Sequence, residues 1–218
     1  MSVDYDALKS AHLAIARCCD CRKQFPSAQF KVICPPGNLY PYLPRTDVEV
    51  LFVSVAPPRP GKHFYSSAND GLRNGLYAVL LGCGYKCSSV EQFHDYGFYL
   101  SHCAKCPIAD TPYPEEIVCV FCSSQHLIAE ITAIRPKAIC FLSKTNGLSS
   151  CIKIAEMFGH IEPIEPRKIF EITVKDLSTE VLVTGWPGRR GLSSCRHDVK
   201  SLLTRKGKFP FRTSDPVE

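Results

Sequence analysis

The sequence predicts a three-layer α/β/α sandwich, an α/β fold in which helices cover a central, largely parallel sheet. The first observation is the run VEVLFVSV at residues 48–55, which is almost continuously apolar. Such a run is typical of a strand that is buried on both faces, as in a parallel sheet. The second observation is that strands of this kind alternate with helical segments along the chain, which is the pattern of α/β proteins.

The helices are predicted from apolar spacing and from their end signals. Residues 4–17 carry apolar side chains at helical spacing, so a short helix should end at the first cysteines. Residues 71–81 are predicted to be helical, with Gly82 or Gly84 closing the helix. Residues 114–134 begin with Pro-Glu-Glu, which suits the first turn of a helix and the positive end of its dipole. Two more helices are expected at 148–158 and 193–203, with Ser193 or Ser194 as the cap of the last one.

The remaining strands are shorter. They are expected at 97–101, 137–142, 169–174 and 180–184, with the last two paired through a turn at 175–179. Ligands of such sheets bind beyond the carboxyl ends of the strands. Those ends fall at 54–61, 101–107, 143–147 and 185–191. No G-x-G-x-x-G or P-loop pattern is present in the sequence, so a nucleotide cofactor is not favoured.

Composition favours one globular domain over residues 1–218, with an N-terminal helix and loop segment at 1–46 and a basic tail at 206–218. No apolar run of membrane-spanning length and no signal peptide are expected, so we expect a cytoplasmic monomer without a membrane partner. In a reducing compartment the 13 cysteines are better explained as metal ligands and buried thiols than as disulfides. The net charge of +5 is compatible with a polyanion partner.

Two cysteine groups allow two interpretations. Residues 99–122 contain two C-x-x-C pairs, and their spacing suits a tetrahedral zinc site built from Cys103, Cys106, Cys119 and Cys122. Alternatively, Cys18 and Cys21 from an upstream group could join Cys106 and Cys122 to hold a [4Fe–4S] cluster with four thiolates. Spacing alone leaves both metal centres open.

The order of motifs around the cysteines resembles the iron–sulfur uracil-DNA glycosylases of bacteria and archaea. It includes the opening C-x2-C, a strand ending in Ala-Pro, Lys105-Cys106, Pro-Glu-Glu and Ile-Arg-Pro, and it spans roughly residues 8–147. The resemblance implies a structural [4Fe–4S] cluster on Cys18, Cys21, Cys106 and Cys122. Cys103 and Cys119 would then be neighbours or substitutes, and Cys19 could replace Cys18.

The same resemblance implies a site that reads a base flipped out of DNA. The loop containing Val55, Ala56 and Pro57 would cradle the base, and Phe64 would stack on it. Val55 stands where one branch of the family has a water-activating glutamate and a sister branch has an apolar residue. Asp70 is then the candidate for stabilising the sugar or positioning water, although an aspartate capping the helix from Gly71 explains it as well.

Two further positions depart from the family pattern. His102 stands where the family has an asparagine that reads the uracil edge, so the base preference could differ. Trp186 replaces a histidine that stabilises the leaving base. The DNA backbone would contact Trp186, Arg189, Arg190 and Ser193.

The resemblance therefore implies a DNA-repair glycosylase that hydrolyses the N-glycosidic bond of a flipped base, uracil first. Two alternatives remain, the first of them because all three departures fall in the chemical site. One is a superfamily member that binds DNA without cutting or that has another specificity, and the other is a zinc-stabilised α/β protein.

Overall fold

A five-stranded sheet forms the centre of the part of the chain that is described. The computed structural model describes residues 2–26, 43–58, 63–108, 112–143, 148–158, 163–188 and 191–205. Within them the strands are β1 (Val50–Ser54), β2 (Phe98–His102), β3 (Ala138–Ser143), β4 (Ile169–Val174) and β5 (Leu177–Gly185). Their order across the sheet is β2-β1-β3-β5-β4.

Four strands run parallel, and the fifth closes one edge. β1 pairs in parallel with both β2 and β3, and β3 pairs in parallel with β5. β4 forms an antiparallel hairpin with β5, as the sequence predicts. Every residue of β1, β2 and β3 is buried, because helices cover both faces of these strands.

The helices lie on both sides of the sheet. They are α1 (Tyr5–Arg17), α2 (Asp20–Gln24), α3 (Gly71–Gly82), α4 (Val90–Asp95), α5 (Glu115–Cys122), α6 (Ile128–Ile134), α7 (Leu148–Met157) and α8 (Leu192–Arg205). α8 packs on β5 and against α3, whereas α7 packs on β3 and β5 and against α5. This arrangement confirms the predicted three-layer α/β/α sandwich.

Local signals explain most helix ends, and two short helices were not predicted. Asp4 caps α1 by accepting from the N–H of Ala7 at 2.9 Å. Ser89 caps the unpredicted α4 by accepting from the N–H of Gln92 at 3.2 Å. The unpredicted α2 is a single short turn that follows Cys19. α8 begins at Leu192, one residue before its predicted start.

A π-helical turn, Ser123–Leu127, joins α5 to α6. Cys122 and Glu130 are eight positions apart in sequence, so an undistorted α-helix would separate them by about 80° around its axis. A π turn absorbs one residue, which brings the two side chains within about 20° of each other. Both can therefore face the same end of β2.

The helical stretch Glu115–Ile134 is long and apolar enough to span a membrane, contrary to the expectation from the sequence. In the fold, 56% of its most apolar window is buried, and a core helix passes the same test of length and composition.

Candidate functional site

The carboxyl ends of the parallel strands meet along one edge of the sheet. Ser54 at the end of β1 is in register with His102 of β2 and with Leu142 of β3. Leu142 in turn is in register with Thr184 of β5. The loops that follow these strands include most of the residues predicted to bind a base or a metal, so the fold brings their backbones to one edge.

The four thiols predicted to hold an iron–sulfur cluster come together beside this edge. Cys18 ends α1 and Cys21 lies on α2, which packs against α5 and its last residue, Cys122. The thiol of Cys21 is hydrogen-bonded to Cys122. Cys106 interacts electrostatically with both Cys122 and Cys18, and Cys21 interacts with all three, so the four thiols lie in one neighbourhood.

The pKa of one thiol in this four-thiol group is lowered. The hydrogen bond from Cys21 lowers the pKa of Cys122, although burial opposes this change. The backbone N–H of Lys105 adds a second hydrogen bond to the Cys122 sulfur at 3.2 Å. By contrast, burial raises the pKa of Cys106 to about 12. A bound cation would be needed to deprotonate all four thiols.

The other two cysteines of the C-x-x-C pairs belong to different surroundings. Cys103 is hydrogen-bonded to Cys151 of α7, and both are fully buried. The Cys119 sulfur is 3.7 Å from the carbonyl oxygen of Val55. Cys19 is exposed, whereas Cys18 is half-buried. In the described part of the chain, no group of three or more His, Cys, Asp or Glu side chains is arranged as for a single metal ion.

The donor set fits an iron–sulfur cluster in its chemistry. Four cysteine sulfurs from two separated segments converge, and they lie in a partly buried site with a backbone N–H directed at one sulfur. Such N–H···S bonds are among the features that tune clusters in proteins. Cys18, Cys21, Cys106 and Cys122 are the residues that would hold the group.

The loop after β1 is connected to the loop after β2 by backbone hydrogen bonds. The N–H of Cys103 donates to the carbonyl of Ser54 at 2.8 Å, and the N–H of Ala104 donates to the carbonyl of Val55 at 2.9 Å. Val55 and Ala56 are half-buried and Pro57 is buried. The residues predicted to cradle a base thus sit directly against the segment that leads to the thiols.

His102 is buried at the end of β2 and makes one short side-chain contact. Its Nδ1 lies 2.5 Å from the hydroxyl oxygen of Ser54. Burial, with smaller contributions from Lys105 and His63, lowers the pKa of His102 to about 3, so the ring is neutral near pH 7. Its Nε2 is buried and has no hydrogen-bond partner among the described residues.

A buried ion pair supports the same end of β2. The ammonium of Lys105 contacts the carboxylate of Glu130 and also donates to the hydroxyl of Ser101 at 2.6 Å and to the carbonyl of His102 at 2.5 Å. His12 of α1 lies 3.4 Å from the other carboxylate oxygen. Burial alone would raise the pKa of Glu130, but Lys105 and His12 lower it to about 2.

This Lys105–Glu130 pair was not predicted from the sequence. Lys105 is adjacent to a cysteine in the sequence. Glu130 is a charged residue within an apolar helical segment, and this position was the one available signal. The π turn determines that Glu130 points toward Lys105, and no sequence signal for that turn was recognised.

Phe64 lies within a cluster of aromatic rings. It is 1% exposed and contacts the rings of Tyr65, Tyr77 and Phe93 at centroid distances of 5.1, 5.9 and 5.1 Å. This packing agrees with the alternative of a core aromatic. Its predicted stacking on a base remains a prediction.

Asp70 caps α3. Its side chain accepts from the N–H of Arg73 at 2.8 Å and is also hydrogen-bonded to the N–H of Leu72. Burial raises its pKa, against the effect of these bonds. The capping role that the sequence offered is therefore present, and the catalytic role remains a prediction.

Trp186 directly follows β5 and lies close to Gly188 and Gly191. Trp186 is half-buried against the core, and a Cβ added at Gly191 would lie 2.4 Å from its carbonyl oxygen. Ser193 is exposed in the first turn of α8, where the Ser194 hydroxyl donates to the carbonyl of Gly191 at 3.1 Å. The predicted DNA contacts Arg189 and Arg190 lie outside the described residues.

The fold and this edge define an α/β protein with a polar, cysteine-rich site at the carboxyl ends of a parallel sheet. Comparison with protein families shows that residues 40–184 match the Uracil DNA glycosylase superfamily. The chain belongs to this superfamily, whose members act on DNA. A comparison with curated proteins found no match.

Proposed function

We propose that the protein is a DNA base-excision glycosylase that hydrolyses the N-glycosidic bond of a flipped base, with uracil as the first candidate substrate. The observation that carries this proposal is the superfamily match over residues 40–184, which includes the ends of β1, β2, β3 and nearly all of β5. Those strand ends hold the polar residues that a base would meet.

In this proposal different residues at the carboxyl ends of the strands contact different parts of the base. The flipped base lies against the segment of Val55, Ala56 and Pro57, and His102 contacts its polar edge. Phe64 supports the pocket from its aromatic cluster or stacks on the base. Backbone N–H groups rather than a side-chain base would act near Val55, because a valine cannot activate water.

Asp70 is the one acidic side chain assigned to the sugar. A carboxylate near the sugar carbon stabilises the positive charge that develops when the glycosidic bond breaks. Because two backbone N–H groups already bind the carboxylate, its orientation is held by α3. The start of α8, with Ser193, and the loop with Trp186, Arg189 and Arg190 would contact the DNA backbone.

We further propose that Cys18, Cys21, Cys106 and Cys122 bind a [4Fe–4S] cluster. When bound, the cluster would join the end of α1, α2, the loop after β2 and α5, and so would stabilise the loops beside the base site. The convergence of the four thiols supports this choice over zinc on Cys103, Cys106, Cys119 and Cys122.

The decisive experiment is a cleavage assay with protein purified without oxygen. Labelled DNA carrying a single uracil, hypoxanthine or thymine is incubated with the protein and then treated with alkali, which breaks the strand at abasic sites. Uracil-dependent breakage is expected. No breakage at any of the three bases, with the metal centre intact, would contradict the glycosylase proposal.

Replacing Cys106 or Cys122 by alanine should remove the bound iron and lower the yield of folded protein, because ligand loss removes folding free energy. Cys195→Ala is the matched control, since Cys195 is equally buried but lies on α8. Iron, sulfide and zinc contents with a visible spectrum provide the measurement. Full iron content in both ligand variants would show that the assigned ligands are wrong.

A second function is favoured by a specific observation. Val55, His102 and Trp186 replace three polar residues of the family pattern, and Asp70 is occupied as a helix cap. A superfamily member that binds DNA without cutting it would tolerate all of these features. Salt-dependent binding of DNA without formation of abasic sites would support this alternative.

A further inference from the structure

His102 and Ser54 form a hydrogen-bonded pair at the carboxyl ends of two adjacent parallel strands. They are direct partners in the register of β1 and β2, and both side chains are at least 99% buried. The oxygen–nitrogen distance of 2.5 Å shows a close contact between the Ser54 hydroxyl and Nδ1 of His102. The pair therefore sits at the end of the sheet that is proposed to receive a base.

Counting protons determines which atom donates in this pair. A serine hydroxyl carries one hydrogen, and a buried hydroxyl almost always donates it to an acceptor. Among the described residues, Nδ1 of His102 is the only side-chain partner of the Ser54 hydroxyl. If Nδ1 carried the ring proton, no side chain among the described residues would accept the hydroxyl hydrogen.

The remaining ring nitrogen then has a defined character. A neutral imidazole that accepts at Nδ1 must carry its proton on Nε2. Nε2 is buried, and no described residue accepts from it. A neighbouring buried ammonium, Lys105, disfavours a second proton on the ring. A buried donor without a protein partner is available to a group that binds beside it.

We propose that Ser54 holds His102 in the tautomer that donates from Nε2, which makes the pair a selector for bases with a carbonyl oxygen at the contacted edge. This inference rests on the proposed glycosylase function. A uracil-type pyrimidine presents a carbonyl oxygen at position 4 and satisfies the donor. Cytosine presents an amino group there, so two hydrogen-bond donors would face each other.

His102 in this tautomer would select bases differently from an asparagine side chain. An asparagine at position 102 offers a donor and an acceptor and could rotate to suit either edge. His102, with its acceptor occupied by Ser54, offers only a donor. Because both side chains are buried, a base that presents a donor at this edge leaves the Nε2 donor unpaired, and such a mismatch is strongly rejected. Ser54 is therefore a positioning residue, which acts on the base through His102.

The first test measures the tautomer without any catalytic activity. Full-length protein labelled with ¹⁵N at histidine is examined by long-range ¹H–¹⁵N correlation, and the His102 signals are assigned by their loss in His102→Asn. We expect Nδ1 to be unprotonated and Nε2 to be protonated at neutral pH. A protonated Nδ1 would overturn the proposal, whatever the activity of the protein.

The second test measures selectivity. Oligonucleotides identical except for one uracil or one cytosine are compared in binding and in cleavage. Wild-type protein should favour uracil about tenfold or more, and Ser54→Ala should reduce this ratio severalfold. In the His102→Asn background, Ser54→Ala should have no further effect on the ratio, because the residue through which it acts is gone.

Thr179→Val is the control for removing a buried hydroxyl. Thr179 donates to the carbonyl of Pro136 at 3.0 Å and lies near the start of β5, at the opposite edge of the sheet. This variant should retain the wild-type ratio. An unchanged ratio in Ser54→Ala, or an equal fall in Thr179→Val, would overturn the proposal. If no base is cut at all, the glycosylase function fails while the binding ratio still tests the pair.

Discussion

The ion pair of Lys105 and Glu130 should make a large and pH-dependent contribution to stability. Both side chains are about 95% buried, and the ammonium also binds the carbonyl of His102. Glu130→Gln keeps the shape and the oxygen acceptor but removes the charge that balances Lys105. Breaking a buried pair by neutralising one partner typically costs about 3–5 kcal/mol.

The lowered pKa of Glu130 corresponds to a contribution of the same order. Its ordinary value is 4.5, and in the folded protein it is lowered to about 2. At about 1.4 kcal/mol for each pH unit, this difference corresponds to about 3 kcal/mol of stability. Because the folded value is the lower one, the contribution is complete above pH 4.5 and is lost as the pH falls toward 2.

Urea unfolding of the wild-type protein and Glu130→Gln at pH 7, 5.5, 4.5 and 3.5 measures both features. The difference in free energy of unfolding should be about 3 kcal/mol at pH 7 and should shrink below pH 4.5. Glu165→Gln is the matched control, because its pair with Lys168 is 64–69% exposed and should contribute less than about 1 kcal/mol. A difference that stays constant from pH 7 to 3.5 would refute the reasoning.

Two more predictions concern the surroundings of the site. Gly75→Ala should lower the melting temperature and weaken DNA binding, because its Cβ would lie 2.0 Å from the carbonyl oxygen of Pro187 in the loop that holds Trp186. Gly71→Ala, where nothing lies within 4 Å, should change neither property. Phe64→Ala should destabilise the fold by about 3–5 kcal/mol in thermal or urea unfolding, as expected for a fully buried aromatic. A loss of turnover with unchanged stability would instead assign Phe64 to base stacking.

Elements with strong periodic patterns were predicted well from the sequence. The apolar runs of β1, β2 and β3 and the hairpin of β4 and β5 all lie within a few residues of their expected positions. Burial on both faces produces continuous apolar runs, and this signal does not depend on distant parts of the chain. α4 was missed although Ser89 and Gln92 carry a capping signal, because the helix has only six residues.

Local capping signals did not predict the first residue of α8. Ser193 and Ser194 are good cap residues by type, yet the helix begins before them at Leu192. The carbonyl of Gly191 accepts both the Ser194 hydroxyl and the N–H of Cys195, so the chain enters the helix one residue earlier. Gly191 also lies close to the carbonyl oxygen of Trp186, and residue type does not reveal such packing.

Part of the chemistry of the candidate site was predicted from the sequence. The sequence indicated a cysteine-rich centre and a polar edge, and it named two possible sets of four ligands. It could not decide between them, because residue spacing does not report distances across 80 or more positions. The packing of α2 against α5 brings Cys21 to Cys122 and leaves Cys103 beside Cys151.

By itself the sequence determined the layered α/β architecture, the five strands and the edge at which the carboxyl ends of the four parallel strands meet. These follow from apolar periodicity and short turns, which act over a few residues. Only the tertiary structure decided that Ser54 binds His102, that Lys105 binds Glu130 and that Phe64 is enclosed by aromatic rings. Such contacts depend on side-chain directions set by strand register and by the π turn, where a shift of one residue changes every partner.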